Sequence, residues 1–589
     1  MALDLRKLAA TPEGKNKLVG LQQYCSARLE TMRGYRISWW ANWAQLAEMF
    51  LPRRYRWFVT PNQYNRGAPL NQSIKDETGV LAARILYTGL LSGLTSPTKP
   101  WFGLALADED ELEEGPARTW LDTCTERMLE VMAGSNIYQM LGQAYHDDVV
   151  FGSAPMIIYE HPTRIISCYV PEAGEYFFAL DNFLEVDTLY REYTYTISEL
   201  VKEFGMDALS ESAKTAARSA SSQEQEVVVC HAIEPNKDVY IAGASIGQIV
   251  PQKFKFREVY WERSSAGAGN QQGSHILRVG GYNEQPFAAF RWDVSANDPY
   301  GRSPAMDAYP AVRQLQVEQV RKAEAIDKLV RPPMIGSVGM KNEPMDITAG
   351  GLTFVVNPQA EGFKPAYQVE PRISEMVEDI KEVQGRVQRV FFNDLFLGIS
   401  QLGTVRSATE IEARQSETLI QIGPVIERTE GELDRIIKRV YAIMSRRKLF
   451  PPPPPEIAGR PLVINYISLF AEVQRAAATT AIERFATFAG TLAGSISPEI
   501  WDNVDSDEML DEYAERLNVP PKILRATKAV MQIRAARAQQ QQAAAALQVG
   551  SAAAQGAATL SKTDVGGGQN ALQQMLGSSP TQAPQAAAA

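Results

Sequence analysis

Residues 371–450 read PRISEMVEDIKEVQGRVQRVFFNDLFLGISQLGTVR and then SATEIEARQSETLIQIGPVIERTEGELDRIIKRVYAIMSRRKLF. In the first part, Ile373, Met376, Val377, Ile380, Val383, Val387, Val390, Phe391 and Leu395 recur at steps of three and four. That spacing lines one face of a 3.6-period helix. Pro371 suits its first turn, where the missing N–H costs nothing. The opposite face carries Glu375, Glu378, Lys381, Glu382, Arg386 and Arg389, mixed charges that can pair between neighbouring copies. Ser407 and Glu410 form a capping box for a second helix. Its apolar positions include Ile411, Leu419, Ile422, Val425, Ile426, Leu433, Ile436, Ile437, Val440 and Met444. The basic end, Arg446-Arg447-Lys448, complements the negative pole of the helix, and five prolines at 451–455 stop it. Pro424 removes one hydrogen bond and presses on the carbonyl one turn back, so a bend is expected between Leu419 and Pro424.

SATEIEARQSE at 407–417, IGPVIERTEGELDRIIKRVYAIM at 422–444 and the basic-to-proline exit resemble the head-to-tail connector, or portal, of short-tailed bacteriophages. So do GLLSGLTSP at 89–97 followed by PWF at 100–102, and YGRSP at 300–304 before a helix. The likeness is spread over roughly Leu18 to Phe450, and the order and spacing of the motifs carry it. It implies a ring at one capsid vertex, usually of twelve identical subunits, through which double-stranded DNA enters and leaves without sequence preference. It also implies partners: a terminase packaging motor, a tail adaptor protein, and the major capsid and scaffolding proteins. The implied location is the virion, after assembly in the bacterial cytoplasm.

The same likeness implies an organisation, for a chain that is mixed α+β and mainly helical. Residues 1–302 would form N-terminal helices and an α+β wing, 303–333 a first stem helix, and 334–370 a small β-containing clip. A second stem helix would occupy 371–396, a tunnel loop 397–406, and a long wing helix 407–450. Residues 451–530 would be a helical crown, and 531–589 an Ala/Gln-rich tail, helical to about Leu547 and disordered beyond it. Gly398, Ser400, Gln401, Leu402, Gly403, Thr404, Val405 and Arg406 would face the DNA channel. The six charges of the second stem helix would meet neighbouring subunits or the channel, and Lys341 and Lys364 would lie on the clip.

Composition agrees with a structural role. At 589 residues the chain exceeds one core, and about three or four domains are expected. Its net charge of −10 argues against tight phosphate binding. A conduit through which DNA slides needs few fixed phosphate contacts. No apolar run long enough to span a bilayer occurs, and MALDLRKLAATPEGK lacks a signal peptide's apolar stretch. Cys25, Cys124, Cys168 and Cys230 form no CxxC pair and read as buried, reduced thiols. There is neither a P-loop nor an HExxH motif, so packaging force must come from a partner, and no cofactor, metal or catalytic residue is expected.

Two rival readings start from other features. Long helices suit another structural virion or scaffold protein, although Pro424 weakens a coiled coil. Gly243-Ala-Ser-Ile-Gly247 satisfies the G-x-S-x-G pattern of a serine hydrolase using Ser245, but that elbow needs a strand before it and a helix after it. A glycine-rich hairpin tip fits the surrounding residues better. Elsewhere, helices are expected over Asp76–Leu91, Glu113–Ala133, Tyr138–Phe151, Ile197–Phe204 and Ser303–Val330, with Pro310 kinking or delaying the last. Short β-branched and aromatic runs between Pro155 and Trp292 predict antiparallel sheet, and Leu352–Val356 a clip strand. Ser210–Gln225 reads as a polar stretch. His146-Asp147-Asp148 reads as helix surface, because adjacent helical positions do not converge on one ion. Pro52–Phe58 interleaves arginines and aromatics and reads as a packed edge with snorkelling Arg.

Overall fold

The computed structural model describes residues 11–59, 67, 71–106, 116–241, 244–247, 249–263, 275–331, 334–335, 338, 364–365, 372–400, 408–455, 462–467, 482–492, 494, 504–516 and 527–562; for several, 397–400 and 408–420 among them, it describes the backbone alone. Contacts divide the chain into two units, 1–478 and 479–589.

Thr11 opens the first unit by accepting the Gly14 N–H on its hydroxyl at 3.1 Å, an N-cap for helix α1 (Pro12–Phe50). Its first half places Leu21, Cys25 and Leu29 in a core shared with the larger sheet. Its second half sends Trp43, Leu46 and Phe50 into the main core. Helices α2 (Pro52–Val59), α3 (Thr78–Leu94), α4 (Pro116–Ala133) and α5 (Ile137–Phe151) follow.

The sheets are antiparallel, as the short runs predict. Strands β2 (Ser153–His161), β3 (Ile165–Tyr169) and β11 (Phe287–Arg291) form a three-stranded sheet in the order β11-β2-β3. Strands β4 (Tyr176–Leu180), β5 (Val186–Thr196), β6 (Glu226–Pro235), β9 (Phe256–Glu262) and β10 (His275–Tyr282) form a five-stranded sheet in the order β10-β9-β6-β5-β4. Helices α6 (Ile197–Phe204) and α7 (Glu211–Ala217) lie between β5 and β6, so helix occupies part of the expected polar stretch. Sequence reading misses β4 and β5, and in β5 the charges Asp187, Arg191 and Glu192 sit inside the strand. Arg191 is buried in β5 against Glu175 at 2.8 Å, which hides the polar–apolar alternation. A distant pairing is also missed: β1 (Phe102–Leu106) runs antiparallel to β14 (Leu462–Tyr466), with Phe102 opposite Tyr466.

Among the described residues of the first unit, four further helices follow: α8 (Pro304–Val330), α9 (Ile373–Val390), α10 (Asn393–Ser400) and α11 (Ala408–Arg446). Ser303 caps α8, its hydroxyl accepting the Met306 N–H at 3.1 Å. Pro310 lies inside α8 without delaying its start, and α11 is one helix across Pro424. At the far end of α8, β12 (Met334–Ile335) pairs with β13 (Lys364–Pro365); the expected strand 352–356 lies outside the described residues. On α11, Ile422, Leu433, Ile436, Ile437, Val440 and Met444 are buried. Its Glu432 accepts the Ala289 N–H at 2.8 Å and so ties it to β11.

The second unit contains helices at 482–492, Ser506–Arg516 and Thr527–Lys562. Arg534 pairs with Asp507 at 2.5 Å. The last helix runs to Lys562, well past the expected limit at Leu547. Low apolar content predicts disorder there, but alanine and glutamine favour helix without burial. Residues 563–589 lie outside the described residues. The architecture is mixed α+β and mainly helical, as the sequence implies.

Candidate functional site

The antiparallel pair α8 and α9 is held in register by one buried carboxylate. Asp76, in the approach to α3, accepts hydrogen bonds from Gln319 Nε2 on α8 and Gln384 Nε2 on α9, each at 2.9 Å and both on Oδ2. Its Oδ1 accepts the Thr78 N–H at 2.9 Å. Gln316 completes the latch, donating to the Asp76 carbonyl at 3.0 Å and accepting the Asp76 N–H at 2.9 Å. Burial works to raise the Asp76 carboxyl, but the Thr78 donors, then the two glutamines, outweigh it and hold it below the usual range.

Beyond the register point, α9 turns sharply. Phe392 adopts φ 53°, in the left-handed region that bulky residues rarely occupy. A new helix, α10, starts one residue later. Three contacts fix this corner. Phe391 is buried with its ring 5.7 Å from Phe50. Buried Asn393, with its amide nitrogen facing two carbonyls, donates to Ala82 O at 3.1 Å and Phe391 O at 3.3 Å. Phe396 lies against Gly89 of α3, where any Cβ would collide with its ring. The sequence reading continues the second stem helix to Phe396 and begins the loop at Leu397; both boundaries are corrected here. The apolar period runs through the corner because both sides of it face the core. Asn393-Asp394 is the local helix-start signal that marks the new helix.

Of the expected channel residues, Gly398 and Ser400 have helical backbone at the end of α10. Gln401, Leu402, Gly403, Thr404, Val405 and Arg406 lie outside the described residues. Glu375, Glu378, Lys381, Glu382, Arg386 and Arg389 are all exposed on α9. Glu375 pairs with Arg372 at 2.8 Å, and Arg386 reaches Gln314 of α8 at 3.5 Å. Lys364 sits in β13 opposite Ile335; Lys341 lies outside the described residues.

Other candidate sites resolve into packing. Ser245 lies in strand β8 (Ala244–Gly247), opposite Tyr240 of β7 (Val239–Ile241). Turns follow β8, and β9 is the next regular element, so the strand–elbow–helix context of a hydrolase nucleophile is missing. His146-Asp147-Asp148 is not helix surface. Asp147 and Asp148 are buried, Asp147 pairs with Arg54, and His146 stacks on Tyr87 at 4.2 Å. Helix α5 packs against α3, α8 and β2 at once, so consecutive positions face inward. Burial pushes the Asp148 carboxyl up to about 8. In the Arg–aromatic segment, Phe58 packs edge-on against Trp40 at 4.8 Å, which is the packed-edge reading. The four cysteines are buried free thiols. Among the described residues no group of His, Cys, Asp or Glu is placed to hold a metal ion, and no helix is long and apolar enough to cross a membrane.

A family profile described as bacteriophage head to tail connecting protein matches residues 22–524. The chain is 37% identical over 542 residues to the portal protein of Salmonella phage epsilon15, covering 91% of this chain and 94% of that one. It is 36% identical over 550 residues to the probable portal protein of Bordetella phage BPP-1, covering 93% and 96%. A chain from the virion of a native gene transfer agent particle is a distant likeness, with TM-score 0.34 and 10% identity over 74% of this chain and 89% of its own.

Proposed function

The chain belongs to the family of bacteriophage head-to-tail connecting proteins, and from that membership we propose that it is a portal: a homo-oligomeric ring at one capsid vertex that conducts double-stranded DNA. The observation that carries this reading is collinearity with two phage portals over more than nine-tenths of the chain. As a virion component it meets capsid and tail. The specific partners are a terminase motor, a tail adaptor, and the major capsid and scaffolding proteins, met during assembly in the host cytoplasm. The role is mechanical, and no catalytic residue is assigned.

Several features support the division of labour. Helices α8 and α9, antiparallel and bridged at their far end by β12 and β13, suit a stem that carries a clip. Lys341 and Lys364 are assigned to that clip. The pinned corner at Phe392 directs α10 toward residues 401–406, the tunnel loop. A net charge of −10 suits a bore that lets phosphates pass. Native mass spectrometry with negative-stain imaging tests the proposal: closed rings with a central hole are expected. A monomer, or a twofold dimer, at micromolar concentration rejects it.

A further inference from the structure

One ridge on the exposed side of α8 is mainly basic, and one on the otherwise mixed exposed side of α9 is acidic, at the same height. On α8, Arg313, Val317, Val320, Arg321, Glu324 and Lys328 fall at helical spacing along one ridge, all exposed. This ridge lies away from the buried Val312 and Leu315. On α9, Glu375, Glu378 and Glu382 form the corresponding ridge, across the helix from the buried Ile380, Val383 and Val387. Two contacts set the heights. Gln314 meets Arg386, and Gln319 and Gln384 share one oxygen of Asp76. Continuing that antiparallel register places Arg321 and Lys328 level with the span from Glu382 to Glu375. Among the described residues, Arg321, Lys328, Glu378 and Glu382 have no ion-pair partner within the chain. Val317 and Val320 are 44% and 40% exposed in the middle of the basic ridge.

We infer that these ridges are the two halves of one heterologous contact, the α8 ridge of one subunit against the α9 ridge of the next. This rests on the ring reading and adds which surfaces mate. Opposite charges at matching height fix the axial alignment of neighbours and disfavour contacts between like ridges. The two valines give the seam an apolar centre from which water is excluded. Because the ridges face different directions, one chain cannot satisfy both; a head-to-tail contact that closes generates a cyclic ring. The second copy of the chain is the occupant; DNA on the basic ridge is the competing one.

Two charge-reversed full-length variants test this. One carries Glu375→Lys, Glu378→Lys and Glu382→Lys, and so has two basic ridges. The other carries Arg321→Glu and Lys328→Glu, and so has two acidic ridges. Each alone is expected to lose at least tenfold in ring yield at physiological salt by native mass spectrometry. Mixed in equal amounts, they are expected to form rings of even subunit number with alternating composition, which also shows that both variants fold. Normal rings from either variant alone overturn the contact. So does failure of the mixture where the wild type forms rings, and so does a variant that keeps its rings and loses only DNA binding. A wild type without rings removes the ring reading itself and this contact with it.

Discussion

The Phe396 ring lies where a side chain on Gly89 would have to go. Gly89 is therefore a docking slot for α10, the helix that leads out of the corner at Phe392. Gly89→Ala is expected to cost about 1–3 kcal/mol through overpacking. Phe396→Ala alone should also destabilise, by leaving a void. The double variant Gly89→Ala/Phe396→Ala should be more stable than the sum of the two single losses. Urea unfolding of all four proteins measures the coupling; strict additivity would show that the two residues do not share that space.

The latch at Asp76 has a defined pH dependence. A carboxyl held below its ordinary value contributes stability that is fully present above the unfolded-state value, about 3.9, and is lost as pH falls through the folded one. Asp76→Asn also leaves the half-buried Gln319 and Gln384 amides facing another donor, at a cost of roughly 1–3 kcal/mol. The gap in unfolding free energy between wild type and Asp76→Asn should be largest at pH 7 and shrink toward pH 3. An unchanged gap across that range would exclude ionised Asp76 as the acceptor that sets the register of α8 and α9.

Glu430 on α11 behaves in the opposite sense. Burial first, then the charges of Asp434 and Glu427, push its carboxyl up to about 7. Tyr466 donates to Asp434 at 2.6 Å, keeping that neighbour in place. The folded form therefore holds the proton more tightly than the unfolded form, and stability falls as pH rises from the ordinary glutamate range toward 7. Glu430→Gln is expected to raise the melting temperature at pH 8 and leave it near wild type at pH 5. The gain is put at about 1 kcal/mol, discounted because Glu430 is partly exposed. Equal shifts at both pH values would rule out this titration.

How much of this was legible in the sequence depends on where the apolar period ends. Helices α8, α9 and α11 were readable because one face of each is apolar over many turns, and the Ser303 cap marks a start that the structure keeps. The corner at Phe392 was not readable, since Phe391 and Leu395 on either side of it are both buried and the period continues across. The Asp76 latch was invisible for a different reason. Its members, Gln316, Gln319 and Gln384, are polar residues at positions where polarity normally signals solvent. Strand β14 could not be placed because its partner β1 lies far away in the chain, and local pattern carries no long-range pairing.

Affinity for DNA follows from charge. With a net charge of −10, isolated rings are expected to bind duplex DNA weakly and without sequence preference, and to lose that binding steeply as salt rises. Fluorescence anisotropy with two unrelated duplexes at low and physiological salt checks this. Nanomolar, sequence-dependent binding at physiological salt would contradict a sliding conduit.

The loop after α10 yields the prediction closest to mechanism. Helix α10 ends at Ser400 and α11 begins at Ala408, so the connection is short and both of its ends are set by helices. Within 401–407 the sequence reads Gln-Leu-Gly-Thr-Val-Arg-Ser, with Gly403 its one glycine and Arg406 its one charge. Glycine lowers the cost of unusual backbone angles, and the proposed tunnel loop is expected to change shape there while α9 and α11 hold still. Uncharged side chains can touch a phosphate backbone without holding it, whereas a ring of lysines would bind phosphates and resist sliding. Gly403→Pro fixes φ at one position and removes one N–H. It is expected to leave ring assembly and procapsid incorporation at wild-type levels while lowering the amount of DNA packaged or retained per particle. Quantitative PCR of nuclease-protected genomes from infections complemented with the variant gives the readout, with ring yield by native mass spectrometry as the control. Wild-type packaging and retention by Gly403→Pro would reduce residues 401–406 to a connector between two helices.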